Sequence, residues 1–254
     1  KAAEGIADYD VNRDATNQEM RTYVCAQCHV EYYFAGEGKT LTFPWKNGLT
    51  VYDEMNYYDE VGWTDFTHEE SGAPVLKAQH PDFETWSQGI HAANGVTCAD
   101  CHMSYNREGA AKVSNHQIMS PMANDDTINS SCLTCHHSTA DEMRERVEGI
   151  QNRWQSSLDV SFTALDALIT DITAAADDGT ATEEQLTAAR DYQRKAQFVV
   201  DYSFSENGRG FHAPQYSVSM LNQATDWARS GQLALRGVSV ENSVPPAIPE
   251  KHMP

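Results

Sequence analysis

Cysteine, histidine, carboxylate and phenol crowd into one stretch, Cys25-Ala-Gln-Cys28-His29-Val-Glu31-Tyr32-Tyr33-Phe34. Its first half is CxxCH, the pattern of c-type haem attachment. The two thiols form thioethers with the porphyrin edge, and the adjacent histidine reaches the iron as proximal ligand. A helical turn suits this chemistry, because it brings both sulfurs and the imidazole to one side of the macrocycle. Glu31, Tyr32 and Tyr33 are surplus to it. No haem site needs a carboxylate and two phenols directly after its ligand, so function beyond haem binding is to be sought there.

Cys98-Ala-Asp-Cys101-His102 and Cys132-Leu-Thr-Cys135-His136 repeat the motif, and the three copies use all six cysteines. Zinc binding, dithiol redox chemistry and disulfides are the other uses of such pairs. None of them requires a histidine after the second cysteine in all three cases. The reading is three covalently attached haems c. Covalent attachment is normally completed outside the cytoplasm, so the periplasm is the expected location. The sequence shows no signal peptide and no bilayer-spanning apolar run, as a processed or truncated exported protein would.

Seven further histidines are His68, His80, His91, His116, His137, His212 and His252. Low-spin electron-transfer haems often take a second axial histidine. His91, His116 and His212 are the candidates for that role, with His68, His137 and His252 as bystanders. Eighteen basic against thirty-seven acidic residues give a net charge of -19. That balance argues against nucleic acid or an anionic membrane surface as partner. Modest hydrophobicity, 40%, is no obstacle when haems take over much of the core.

The elements that position these groups can be read in order. Lys1 to Asp14 is a polar lead without a packing pattern. Thr16 and Glu19 form a capping box that starts a helix running into the first motif. Gly36 to Gly72, rich in Gly, Pro, Trp, Tyr and acid, reads as a long irregular excursion with at most short strands. Its aromatic residues Tyr52, Tyr57, Tyr58, Trp63 and Phe66 are suited to lie over a haem edge. Phe83 to Gln88 reads as a short helix. Ala140 to Ala176 is one long amphipathic helix, with Met143, Val147, Ile150, Trp154, Leu158, Phe162, Leu165, Ile169 and Ile172 at spacings of three and four. Thr182 caps a second helix to about Ser205, making an antiparallel hairpin. Asn207-Gly-Arg-Gly-Phe-His212-Ala-Pro214 breaks the pattern and offers a histidine back toward the haems. A third helix, about Gln215 to Ser230, and an extended tail at Pro245-Pro246-Ala-Ile-Pro249 follow.

The fold class is mainly α: a multihaem cytochrome c core with long C-terminal helices and few short strands. Residues 1–138 form the haem-binding and active-site portion. Residues 139–254 form the hairpin, third helix and tail, joined to the haem core as one domain. The hairpin is expected to be a dimerisation surface, with Leu165 and Ile169 on the interface.

His29-Val-Glu31-Tyr32-Tyr33-Phe34 after a haem motif, Lys77-Ala-Gln79-His80 further on, and His91 just before the next CxxCH together resemble the ammonia-forming cytochrome c nitrite reductases, which are pentahaem enzymes. The resemblance covers about Asp8 to Ser230. It implies a calcium ion held by Glu31 through its carboxylate, by Tyr32 and Lys77 through backbone carbonyls, and by Gln79 through its amide oxygen. These are the hard oxygen donors calcium requires. It places Tyr32 and His80 in the substrate pocket, and implies six-electron reduction of nitrite to ammonium. Electrons would come from a quinol-linked or small cytochrome donor. Family pairing gives one haem to His102 and His212, and another to His136 and His91.

The family's catalytic haem sits on a separate, more N-terminal motif, usually CxxCK, together with a pocket arginine and another CxxCH. No CxxCK occurs here. The expectation is therefore the C-terminal three-haem portion of such an enzyme, to be completed by a missing N-terminal portion or chain carrying the catalytic haem. On that pairing His116 serves a haem attached elsewhere, and the haem on His29 takes its distal ligand from elsewhere. Octahaem relatives carry a cysteine two residues after the pocket tyrosine, where Phe34 stands. Without the resemblance, the residues alone support a three-haem electron carrier.

Overall fold

The computed structural model describes residue 1 and residues 6–238. The proposed tail and His252 lie outside them. Short helices α1 (Val11–Asp14) and α2 (Asn17–Tyr23) lead into the first motif. Thr16 and Glu19 form the reciprocal cap on α2. The hairpin β1 (Tyr33–Ala35) and β2 (Thr40–Thr42) follows, paired Tyr33 to Thr42.

The stretch from Gly36 to Gly72 is more regular than its composition suggests. It contains helix α3 (Val51–Glu60), started by a capping box between Thr50 and Asp53. Val51, Glu54, Met55 and Tyr58 recur at spacings of three and four and face inward. A carboxylate inside that stripe hides the periodicity. Among the described residues two small antiparallel pairs complete the strand content: β3 (Phe66–Thr67) with β4 (Pro74–Val75), and β5 (Tyr105–Glu108) with β6 (Ala111–Ser114). Between them lie α4 (Asp82–Ser87), α5 (Ile90–Ala93) and α6 (Cys98–His102). Helix α7 (Asp125–Ser131) precedes the third motif.

Three long helices buttress this region: α8 (Ala140–Asp177), α9 (Glu183–Ser205) and α10 (Pro214–Ala234). Thr139 with Glu142 caps α8, and Thr182 with Gln185 caps α9. The three helices pack side by side, and one hydrophobic core runs from them to Tyr33, α3 and Leu76. Arg194, nearly buried on α9, clamps the joint. Its guanidinium donates to Asp59 at 3.0 Å, to the Trp63 carbonyl at 2.8 Å and to the Pro74 carbonyl at 3.3 Å.

Two sequence expectations change here. The aromatic residues assigned to a haem edge instead join α3 to the long helices: Tyr33 meets Trp63 at 4.7 Å and Tyr58 at 5.3 Å, and Tyr58 meets Phe198 at 5.8 Å. Phe66 stays exposed. Leu165, expected on a dimer interface, is buried in the internal core, and Ile169 packs against that core. Over 38 residues the 3.6-residue period drifts away from a strict seam, so Ser161, Ala164 and Leu168 become inward-facing while Phe162 turns out. The small Ser161 lets α10 come close, its hydroxyl donating to the Leu221 carbonyl at 2.8 Å.

Leu165→Asp should therefore unfold the helical layer rather than split a dimer. A charge placed at this buried site costs about 4 kcal/mol or more. Chemical denaturation of the haem-loaded protein measures it, and an unchanged midpoint would place Leu165 outside the core.

Candidate haem relay and pocket

Each CxxCH closes as a helical turn. The His29 amide donates to the Cys25 carbonyl at 3.0 Å and the His136 amide to the Cys132 carbonyl at 2.9 Å, while Cys98–His102 is itself α6. Thr97 and Asp100 cap α6, and Arg21 of α2 reaches Asp100 at 2.9 Å, holding the first two motifs together. None of the six cysteines is in a disulfide. The neighbouring Cys98 thiol draws Cys25 down to about 6. Burial, followed by the nearby thiols of Cys132 and the Asp100 carboxylate, pushes Cys101 up to about 12. The thiol neighbours order the motifs in space as first, second, third.

Histidines from distant segments meet in pairs. The His102 and His212 rings are 6.4 Å apart, centre to centre, and the His91 and His136 rings 6.2 Å apart. A metal–imidazole bond of about 2.0 Å on each side, plus about 1.1 Å from each nitrogen to its ring centre, separates two trans imidazoles on one metal by about 6.2 Å. Both pairs fit that spacing. Large apolar side chains beside the motifs and ligands, Val24, Ile90 and Ile118, are exposed, as suits contact with an apolar macrocycle. These residues fit covalently attached haem.

Three ligand candidates have Nδ1 occupied by an acceptor. His29 Nδ1 lies 2.9 Å from Asp82, His102 Nδ1 3.0 Å from the Met119 carbonyl, and His212 Nδ1 contacts Glu206. That arrangement holds the ring proton on Nδ1 and leaves Nε2 for iron. Burial lowers the pKa of His102 and of His91; at His212 the Glu206 carboxylate outweighs burial and raises it. His116 is exposed and lines an open cleft of about 360 Å³ with residues of β5 and β6, apart from both pairs. His137 is exposed, and His68 accepts from the Ser71 amide in a turn.

The loop that delivers His212 depends on glycine at two points. A Cβ on Gly208 would stand 2.5 Å from Glu206 Oε1 and 2.7 Å from His212 Nδ1. A Cβ on Gly89 would collide with the His212 carbonyl oxygen, so the backbone just before His91 rests directly on the backbone of His212.

The surplus residues gather beside the first motif. The His80 amide donates to the Val30 carbonyl at 3.3 Å, and the Phe83 amide to the His29 carbonyl at 3.0 Å. These bonds lay Lys77 to His80 alongside Val30 to Tyr32. Glu31 is fully buried and accepts from the Gln79 amide at 2.7 Å and the Tyr58 hydroxyl at 2.8 Å. Its own amide donates to Glu84 at 2.9 Å, which also accepts from the Trp45 indole at 2.8 Å. Burial raises Glu31 and Glu54 well above ordinary carboxyls and Glu84 to about 8. The Lys77 ammonium is engaged by Asp201 at 2.6 Å, which leaves its backbone carbonyl as its only hard-donor contribution to a cation. The Glu31 carboxyl, the Gln79 side-chain amide and the Tyr32 and Lys77 carbonyls are hard oxygen donors of the class that calcium takes. His80 is exposed and Tyr32 half-buried against Phe34. Sequence reasoning missed Asp82, Glu206, Glu54 and Glu84. Asp82 stands two residues after His80, but one carboxylate among thirty-seven acids carries no visible signal.

Residues 1–253 match the cytochrome c552 family. The chain belongs to that family. Covalently bound haem c comes with it. Cytochrome c-552 of Parabacteroides distasonis is 46% identical over 220 residues, covering 87% of this chain and 44% of the relative. That of Porphyromonas gingivalis is 43% identical over 235 residues, covering 92% and 46%. Among solved structures, the catalytic subunit of cytochrome c nitrite reductase from Desulfovibrio desulfuricans, described with two calcium sites, superposes with a TM-score of 0.81 at 32% identity. It is covered over 51% of its length, and this chain over 89%. The chain thus spans about half the length of the relatives it matches. No helix among the described residues is long and apolar enough to cross a membrane.

If the two ring pairs each hold one iron, His91→Ala and His212→Ala should each convert one low-spin haem to high spin. Electron paramagnetic resonance reads this directly. A spectrum unchanged by either substitution would rule out that pairing.

Proposed function

We propose that this chain supplies three haems, a calcium site and part of the pocket of a periplasmic enzyme that reduces nitrite to ammonium. The observation that carries the reading is the backbone join that lays Lys77-Ala-Gln79-His80 alongside Glu31-Tyr32, within the family and fold described above. The haem-binding residues are Cys25, Cys28 and His29; Cys98, Cys101, His102 and His212; and Cys132, Cys135, His136 and His91. His116 serves a haem attached outside these residues. Glu31, Tyr32, Lys77 and Gln79 hold calcium.

In the reaction, nitrite takes up six electrons and eight protons and leaves as ammonium and two waters. Haems held by the motif cysteines and histidines would supply the electrons when bound. His80 hydrogen-bonds a substrate oxygen and delivers protons as the N–O bonds break. Tyr32 orients partly reduced species. Glu31, fixed by Gln79 and Tyr58, anchors both side chains through the backbone they share. The reading includes completion of the pocket by residues beyond this chain, among them the catalytic haem and an arginine, and electron delivery by a quinol-linked or small cytochrome donor. It also includes a homodimer formed through the exposed face of α8 and α9, where Phe162 and Phe204 meet edge to face at 6.0 Å.

Intact mass should show three haem additions on this chain. In the completed enzyme, His80→Ala should lower nitrite turnover by about 10²-fold, the scale of a lost proton donor, with haem spin states unchanged. A new high-spin signal with near-normal turnover would make His80 an axial ligand instead. Phe162→Glu should leave a monomer in sedimentation; an unchanged dimer would move the interface elsewhere.

A further inference from the structure

Between the first two haem sites lies a set of polar groups that haem attachment does not require. Asp82 sits at the start of α4, 8% exposed. Its Oδ2 faces His29 Nδ1 at 2.9 Å and accepts from the Asn207 side-chain amide at 2.8 Å. Its Oδ1 accepts from the Asn207 backbone amide at 2.8 Å and stands 4.0 Å from His212 Nδ1. Glu206, 3% exposed, binds that same His212 nitrogen and accepts from the Gly208 amide at 2.7 Å and the Gly210 amide at 3.1 Å. Donor atoms of Asp82, Glu206 and His212 all lie within 4.8 Å of one another. Glu206 is committed to His212 and two amides, and Asp82 to His29 and Asn207, so the cluster reads as a hydrogen-bond network between two histidines. Those histidines belong to different haems: His29 to the first motif, His212 to the pair with His102.

We propose that Asp82 is a positioning residue shared by two haem sites, one buried carboxylate that orients His29 and sets the reduction equilibria of both irons. With iron on Nε2, the His29 proton sits on Nδ1 and is donated to Asp82, which fixes the ring plane and makes the imidazole a stronger donor. Negative charge behind an axial ligand stabilises the ferric over the ferrous state, because reduction removes one positive charge from the iron. The haem on His29 feels this through a direct hydrogen bond. The haem of His102 and His212 feels it across 4.0 Å, added to the direct effect of Glu206. Asn207 spans the two oxygens of Asp82 and partly offsets their charge. The proposal rests on the three-haem reading, which a haem count by mass spectrometry tests separately.

The experiment is a potentiometric titration of the haem-loaded protein, with individual haems assigned by paramagnetic NMR. Asp82→Asn keeps the shape and removes the charge. It should shift the His29 haem toward reduction by about tenfold, which is about 59 mV for a one-electron couple. The His102–His212 haem should move the same way by less, and the His91–His136 haem should stay in place. Glu206→Gln should move the His102–His212 haem and leave the His29 haem where it was. Low-spin signatures retained throughout would separate this tuning from loss of a ligand. A shift confined to one haem in Asp82→Asn, no shift at all, or an equal shift in all three overturns the shared role. If Asp82→Asn does not fold, Asn207→Ala decides, because Asn207 is exposed and its side chain serves here only as a donor to Asp82. Removing that donor should drive the His29 haem the opposite way, toward the ferric state. An unchanged or reversed shift overturns the proposal.

Discussion

Two imidazoles can share one metal only when their rings stand about 6 Å apart with nitrogens facing, and two histidine pairs of this fold stand at that separation. His102 ends a five-residue helix, while His212 lies more than a hundred residues on, past two long helices. His91 and His136 come from equally unrelated segments. Bringing each pair into range needs a frame that local sequence does not provide. The long helices are that frame: their shared core with α3 and Tyr33 fixes where α9 ends, and hence where the loop carrying His212 begins.

The same frame buries more acid than a small helical layer ordinarily tolerates. Glu31, Glu54 and Glu84 are fully buried, and Asp82 and Glu206 nearly so. Isolated carboxylates in such positions are costly, so each must be neutral, hydrogen-bonded or paired with a cation. Glu31, Glu84, Asp82 and Glu206 all accept from backbone amides. The groups they serve are the first motif, the Lys77 to His80 stretch and His212. Burial pushes Glu31, Glu54 and Glu84 toward their neutral forms, while backbone amides hold Asp82 and Glu206 beside the histidines.

How much of this was legible in the sequence follows from the range of each interaction. Attachment motifs, caps and helix ends are local, so CxxCH, Thr16 with Glu19 and Thr182 with Gln185 could be read directly. The glycine-rich turn before His212 marks a histidine returning toward the second motif, where its ring stands 6.4 Å from that of His102. Helix α3 was missed because Glu54 interrupts its apolar stripe and its aromatic composition mimics a loop. Leu165 and Ile169 read as outward-facing from sequence because a single helix shows an apolar face without showing what covers it; α9 and α10 cover it. Asp82 was invisible for a related reason. Its partners, His29 and Asn207, are 53 and 125 residues away.

The contact between Gly89 and the His212 carbonyl has a consequence for electron flow. His91 belongs to one histidine pair and His212 to the next, and only a hydrogen at position 89 separates their backbones. The spacing between the two histidine pairs is then gauged by main chain against main chain. Side chains relax through rotamers, but two abutting backbones have almost no slack. Because tunnelling weakens steeply with distance, a glycine with no chemistry of its own would, on the proposed haem pairing, act as the spacer of the relay.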